Sequence, residues 1–200
     1  TVTLAPRSRL SYVFDTRGRQ ISLAQGEAYF NVHHDRSKPF VVAAGALSVT
    51  AVGTAFDVRL EPGRVVTLVQ EGSVMLDLAG AGAAAGSPAR LQLGAGYLAS
   101  FDPLQRSASV TAIDADRELG WRDGRLRFLD RTLNQVVDAV NRYAGKHVAL
   151  GDARLGELRF TGTVFIESVD DWVAALSASF ALRVTRPDEH DIVLLPTAGN

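Results

Sequence analysis

Apolar and polar positions alternate with period two from Thr1 to about Ile113, in short β-rich runs broken by Gly, Pro, Asn and Asp. The pattern predicts strands over 9–14, 20–32, 40–43, 47–60, 65–78, 89–101 and 109–113. No amphipathic stretch of helix length interrupts them. Strands without intervening helices point to an antiparallel sandwich, a barrel or a β-solenoid, and away from a parallel α/β sheet. A Leu followed shortly by Gly recurs in Leu23-Ala-Gln-Gly26, Leu68-Val-Gln-Glu-Gly72 and Leu91-Gln-Leu-Gly94. The spacing is irregular, which leaves a coiled stack of strands open without establishing it.

Beyond about Asp114 the pattern becomes strand, helix, strand, and then repeats. Leu126-Arg-Phe128 recurs as Leu158-Arg-Phe160, each ahead of an amphipathic segment. The apolar positions are Leu133, Val136, Val137, Val140 and Ala144 in the first, and Val169, Trp172, Val173, Leu176 and Phe180 in the second. Both series run at offsets 0, 3, 4, 7 and 11, one face of a 3.6-residue helix. Asp130 or Thr132 can cap the first helix, and Ser168 with Asp171 forms a near capping box for the second. Gly145 suits a left-handed helix end. Strands are expected over 147–150, 182–185 and 191–195. The fold expected is therefore an all-β subdomain over 1–113, sandwich or solenoid-like, and an α+β subdomain over 121–196 with duplicated βαβ units and right-handed crossovers.

Two hundred residues are enough for one large or two small domains with cores of their own. The 21 basic and 22 acidic residues sum to −1, which removes the field needed to track phosphates, so nucleic acid is not an expected partner. No apolar run is long enough to cross a bilayer and no basic-then-apolar leader opens the chain, so a soluble piece, cut from something longer, is expected. With no cysteine there are no disulfides, thiolate metal sites or Cys nucleophile.

Candidate chemistry is sparse. Gly80 to Ser87 looks like a phosphate-binding glycine loop, but Pro88 and a strand-like run follow where a helix N-terminus is required, so a hairpin loop is expected and no cofactor. His33 and His34, adjacent on a strand, point to opposite faces; with His147 and His190 they make no metal set. Asp35 reads as turn chemistry ahead of Pro39. The pairs Asp114/Asp116, Asp170/Asp171 and Asp188/Glu189 read as helix-start or loop acids. No residue is assigned a catalytic role, and no enzyme is expected. Trp121, at the junction of the halves, is either a core plug or an exposed interface anchor. Trp172 lies in the apolar stripe of the second helix.

Several runs together resemble the periplasmic part of FecR-type sigma regulators. They are Gly26-Glu-Ala-Tyr-Phe-Asn-Val32, His34-Asp-Arg-Ser-Lys-Pro-Phe-Val-Val42, Gly53-Thr-Ala-Phe-Asp-Val-Arg59 and Val65-Val-Thr-Leu-Val-Gln-Glu-Gly-Ser-Val74. Trp121-Arg-Asp-Gly-Arg-Leu-Arg-Phe128 and Val140-Asn-Arg-Tyr143 continue it, so the likeness spans essentially the whole chain. Thr132 stands where the family usually has Pro, and either residue suits a helix start.

The resemblance implies the periplasmic region of a single-pass inner-membrane anti-sigma factor. A cytoplasmic segment outside this chain would bind an extracytoplasmic-function sigma factor. The partner implied is the signalling domain of an outer-membrane TonB-dependent transducer, with iron or metallophore availability as the signal and regulated proteolysis as the output. The duplicated part is similar to the short signalling domain of such transducers and of secretins. Small βαβ domains offer unpaired sheet edges, so partner contact is expected at Trp121, along Leu158, Phe160, Gly162 and Val164, or along Ile192, Val193 and Leu194, the last strand being taken as an edge because it follows a hairpin loop and stops at Pro196. A carbohydrate- or ligand-binding β module and a secretin-like assembly subunit are the alternatives.

Overall fold

The computed structural model describes residues 1–16, 18–78 and 90–197. The glycine-rich run from Gly80 to Ser87 lies outside them. The chain divides into two compact units, Thr1–Asp116 and Arg117–Asn200.

The first unit is built around one long strand. β3 (Arg19–Asn31) pairs through its first half with β2 (Arg9–Phe14) and, in parallel, with β4 (Phe40–Ala44). Its second half pairs antiparallel with β1 (Val2–Leu4) and β6 (Ala55–Glu61). The strand changes partners at Gly26, whose φ of +81° favours glycine and where a Cβ would lie 2.3 Å from Ser8 Oγ. That hydroxyl accepts the Glu27 N–H at 2.9 Å and fixes the bend.

From there, hairpins alternate between two faces of one curled sheet. β4 and β5 (Leu47–Ala51) extend the first face, β6 and β7 (Arg64–Glu71) the second, β8 (Ser73–Leu78) and β9 (Arg90–Gly94) the first again, and β10 (Tyr97–Asp102) and β11 (Ser107–Ala112) the second. Contacts between successive hairpins run β5 to β8 and β7 to β10. Three runs expected as single strands, 47–60, 65–78 and 89–101, are each two strands. The chain breaks at Gly53, at Gly72 (φ +76°) and at Ala95-Gly96 (φ +79°) and crosses to the other face. Of the three Leu-to-Gly recurrences, Gly72 sits at such a corner, Gly94 ends β9 just before one, and Gly26 is where β3 changes partners. Between the faces, Phe30 stacks on Phe56 at 5.2 Å and meets Phe40 at 5.5 Å, with Leu23, Leu76, Leu93 and Phe101 fully buried around them.

A short helix α1 (Ala115–Glu118) spans the boundary between the units. In the second unit, β12 (Arg125–Thr132) leads into α2 (Leu133–Tyr143) and β13 (His147–Leu150). β14 (Arg159–Phe165) leads into α3 (Val169–Phe180) and β15 (Leu182–Thr185), and β16 (Asp191–Pro196) ends the unit. The expected α+β duplication is present. All five stripe positions of α2 are buried; in α3 four are, with Phe180 half-buried.

Three local expectations are corrected. The strands flanking each helix lie in different sheets, so there is no crossover within one sheet: β12 pairs antiparallel with β14, while β13 and β15 flank β16. Thr132 and Gln135 form the full capping box on α2, whereas Ser168 makes no side-chain cap on α3. Helix α2 ends in extended backbone at Ala144, and the left-handed helix end belongs to Ala181, at φ +51° after α3.

Candidate partner-binding site

The structure sorts the expected contact residues into three places. Ile192, Val193 and Leu194 lie on β16, which is the central strand of its sheet. Val193 pairs with Ala149 of β13 on one side and Thr185 of β15 on the other, so both rows of its main-chain groups are occupied. The reading of β16 as an edge is thereby overturned. A hairpin loop and a terminal proline mark where a strand stops, and carry no information about a parallel neighbour from far earlier in the chain. Trp121 is 6% exposed and stacks on Tyr143 of α2, ring centroids 5.8 Å apart and planes 5° from parallel. Burial removes the exposed-anchor alternative for it.

Leu158, Phe160, Gly162 and Val164 lie together, on β14 or the residue before it. β14 pairs with β12 alone among the described strands, so its far edge is open. Its burial alternates: Arg159, Thr161, Thr163 and Phe165 face solvent, while Phe160, Gly162 and Val164 face α2 and α3. The phase of the ladder follows from Ile166 N–H donating to Gly124 C=O at 2.9 Å, which turns Val164 and Gly162 toward β12. Thr161, Thr163 and Phe165 therefore point their main-chain N–H and C=O groups outward.

β12 is interrupted where β14 is continuous. Leu129 and Asp130 together oppose Thr161, a bulge with Asp130 at φ +48°. Asp130 N–H donates to Thr161 Oγ1 at 2.9 Å, and Arg159 Nη1 donates to Asp130 C=O at 3.0 Å, which pins the bulge to β14. Beside the open edge, Phe160 meets Phe128 edge-on at 6.0 Å and Trp172 edge-on at 6.2 Å. A Cβ on Gly162 would lie 2.9 Å from Phe160 Cζ, so the glycine is what lets that ring lie across the strand.

Elsewhere, the polar candidates have structural partners. Asp35 accepts from the Ser37 side chain and from the Ser37 and Lys38 N–H groups; the Ser37 bonds hold its carboxyl below the usual range. Asp188 accepts from His190 and Asp191 N–H, which likewise lowers it. Asp170 pairs with Lys146 and, at 3.4 Å, with Arg186. Among the described residues no group of three or more His, Asp or Glu is placed to hold a metal ion, and no helix is long and apolar enough to cross a membrane.

Two features escaped the sequence reading. Glu27 and Arg59 are cross-strand partners, and the Arg59 guanidinium links this nearly buried carboxylate at 3.7 Å to Glu61 at 2.7 Å. Only strand register reveals that pairing. On β2, Tyr12 and Phe14 stand out of the surface with ring centroids 5.2 Å apart.

A two-faced β stack and a small α+β unit with an open strand edge define a β-rich protein of two units. The family model described as FecR protein matches residues 1–75. That match covers the larger part of the first unit and none of the second. The chain is similar to two crystal structures of a candidate anti-sigma factor from Parabacteroides distasonis ATCC 8503. The structure at 1.65 Å has a TM-score of 0.75 and 23% identity, covering 98% of this chain and 90% of that one. The structure at 2.50 Å has a TM-score of 0.70 and 21% identity, covering 99% of each. Both likenesses are likenesses of fold. No curated protein matches the chain.

Proposed function

We propose that the chain is the signal-receiving region of a FecR-type anti-sigma regulator, placed in the periplasm as part of a membrane-anchored protein. In this reading the second unit, over 121–196, receives the signalling domain of an outer-membrane TonB-dependent transducer. The first unit carries that receiver. The regulator's remaining parts hold an extracytoplasmic-function sigma factor, and proteases that read the state of the periplasmic region complete the relay from iron or metallophore availability to transcription.

The observation that carries the reading is an open, continuous strand edge on a small α+β unit, in a chain whose beginning matches the FecR protein family. A relay of this kind requires a surface whose occupancy can be sensed, and no reacting groups; β14 supplies unpaired donors and acceptors of the kind that add a strand from a partner. The test is calorimetric titration of the 200-residue chain with the isolated signalling domain of a TonB-dependent transducer from the same genome. Saturable one-to-one binding with a Kd near or below about 10 μM, roughly 7 kcal/mol, is expected. Absence of binding by every such domain of that genome overturns the reading.

A further inference from the structure

We infer that the β14 edge and the groove beside it form a docking site for an acidic segment in extended conformation, added to β14 as a further strand. This deepens the proposed function, on which it rests, by naming the place and the chemistry of the contact. Three independent features converge there.

The first is main-chain geometry. Thr161, Thr163 and Phe165 direct their N–H and C=O groups away from β12, and no other described strand takes them. A strand laid along them gains main-chain hydrogen bonds whatever its sequence.

The second is the groove. A cavity of about 240 Å³ lies between the start of β14 and α3, lined by Phe160, Trp172, Leu176 and Phe180 with Arg159 at its rim. No residue of β12 lines it, so it sits on the open side of β14. Trp172 is 6% exposed and its indole N–H is buried with no acceptor among the described residues. An added strand with an apolar side chain in the groove brings main-chain carbonyls to this rim. A small rotation of the indole then gives the N–H the acceptor that burial otherwise denies it.

The third is charge, and it selects the occupant. The two strands carry Arg125, Arg127, Arg131 and Arg159 against the single acid Asp130. Asp123 and Asp130 pair Arg125 and Arg159, at 3.2 and 3.8 Å. Arg127 and Arg131 are exposed and have no ion pair among the described residues. Arg127 stands opposite Thr163 on the solvent face, within one strand's width of the open edge. Alternating side chains of an added strand therefore meet apolar groove on one side and Arg127 and Arg159 on the other, so the matching sequence alternates apolar and acidic residues.

The probes are two peptides, acetyl-Glu-Val-Asp-Leu-Glu-Val-Asp-amide and its counterpart with lysine at every acidic position. In a Trp121→Phe chain the remaining indole is Trp172, and its emission reports the groove directly. The acidic peptide is expected to shift that emission saturably, to bind at least tenfold more tightly than the lysine peptide, and to weaken as salt screens the arginines. Arg127→Glu, at an exposed position, is expected to reduce acidic-peptide affinity at least tenfold with circular dichroism unchanged. Thr163→Pro, which removes one outward donor, is expected to do the same. Equal binding of the two peptides, or no effect of Arg127→Glu, overturns the inference. If the transducer domain binds and neither variant weakens it, this site is wrong while the receiving function stands. If the acidic peptide binds as described and no transducer domain does, the site stands and the proposed function falls.

Discussion

Asn141 on α2 holds Val148 on β13 by both main-chain groups: its Nδ2 donates to the Val148 C=O and its Oδ1 accepts the Val148 N–H, each at 2.7 Å. The side chain thus acts as a surrogate neighbouring strand, satisfying an edge of β13 that no described strand reaches. Val148 is almost fully buried, so losing the amide strands two polar groups away from water. Asn141→Ala is expected to destabilise the second unit by about 2–4 kcal/mol, from two hydrogen bonds and their desolvated partners. Both tryptophans lie in this unit, so urea unfolding followed by tryptophan emission isolates it. A loss below about 0.5 kcal/mol contradicts the clamp.

The acid limb of stability belongs to carboxylates with depressed pKa values. The Arg154 guanidinium, hydrogen-bonded to Asp152, lowers that carboxyl from 3.8 to about 2. Asp170 is lowered chiefly by Lys146, and Asp188 by the His190 and Asp191 N–H groups. A folded-state pKa below the unfolded one contributes stability that is fully present above the unfolded value and is lost as pH falls through the folded one. The second unit is therefore expected to lose stability below about pH 4, with the Asp152 share lost as pH falls through about 2. Asp170→Asn is expected to shallow that limb in acid titrations followed by tryptophan emission. An unchanged limb assigns the loss to other groups.

Proline separates a central strand from an edge. At Val193 it removes a ladder donor between β13 and β15 and is expected to cost about 3 kcal/mol or more, unfolding the second unit. At Thr163 it faces the open side of β14 and is expected to cost about 1 kcal/mol or less. Urea midpoints of the two variants decide it, and comparable losses refute the assigned edge.

Gly26→Ala tests the strand switch. The substitution imposes a Cβ on a left-handed residue and drives it into Ser8, whose hydroxyl fixes the bend. A loss of about 2–3 kcal/mol in the first unit is expected, read by far-ultraviolet circular dichroism. Ser8→Ala should remove only the hydrogen bond, about 1 kcal/mol. If Gly26→Ala costs no more than Ser8→Ala, the backbone is not committed there.

Local chemistry in this sequence was legible, and pairing partners were not. The repeated stripe from Leu133 and from Val169 identified both helices, because burial of one helical face depends only on spacing along the chain. Period two announced the strands, but at Gly53 and Gly72 it only slips by one position. Buried Val49 and Ala51 give way to Phe56 and Val58, and Val65 and Val69 to Val74 and Leu76, so two strands read as one. The fate of β16 shows the same gap: Ile192, Val193 and Leu194 looked terminal in sequence and are central in space, since β13 reaches them across the whole second repeat. Of the expected contact residues, those at β14 retain an open edge because β12, their only partner among the described strands, lies on one side. The charge of that edge comes from arginines that are unremarkable until the register sets them beside it.

The alternation of hairpins between the two faces of the first unit makes its length a modular quantity. Each further pair of hairpins would add two strands to each face and lengthen the stack by ~10 Å, at the spacing of neighbouring strands. The phenylalanine cluster between the faces would stay untouched. Proteins built this way can differ in reach by whole hairpin pairs inserted beyond β9 and β11, where the two faces end, while the corner glycines at 26, 53, 72 and 96 keep the same geometry. The number of strands in each face can thus change without altering the core between them.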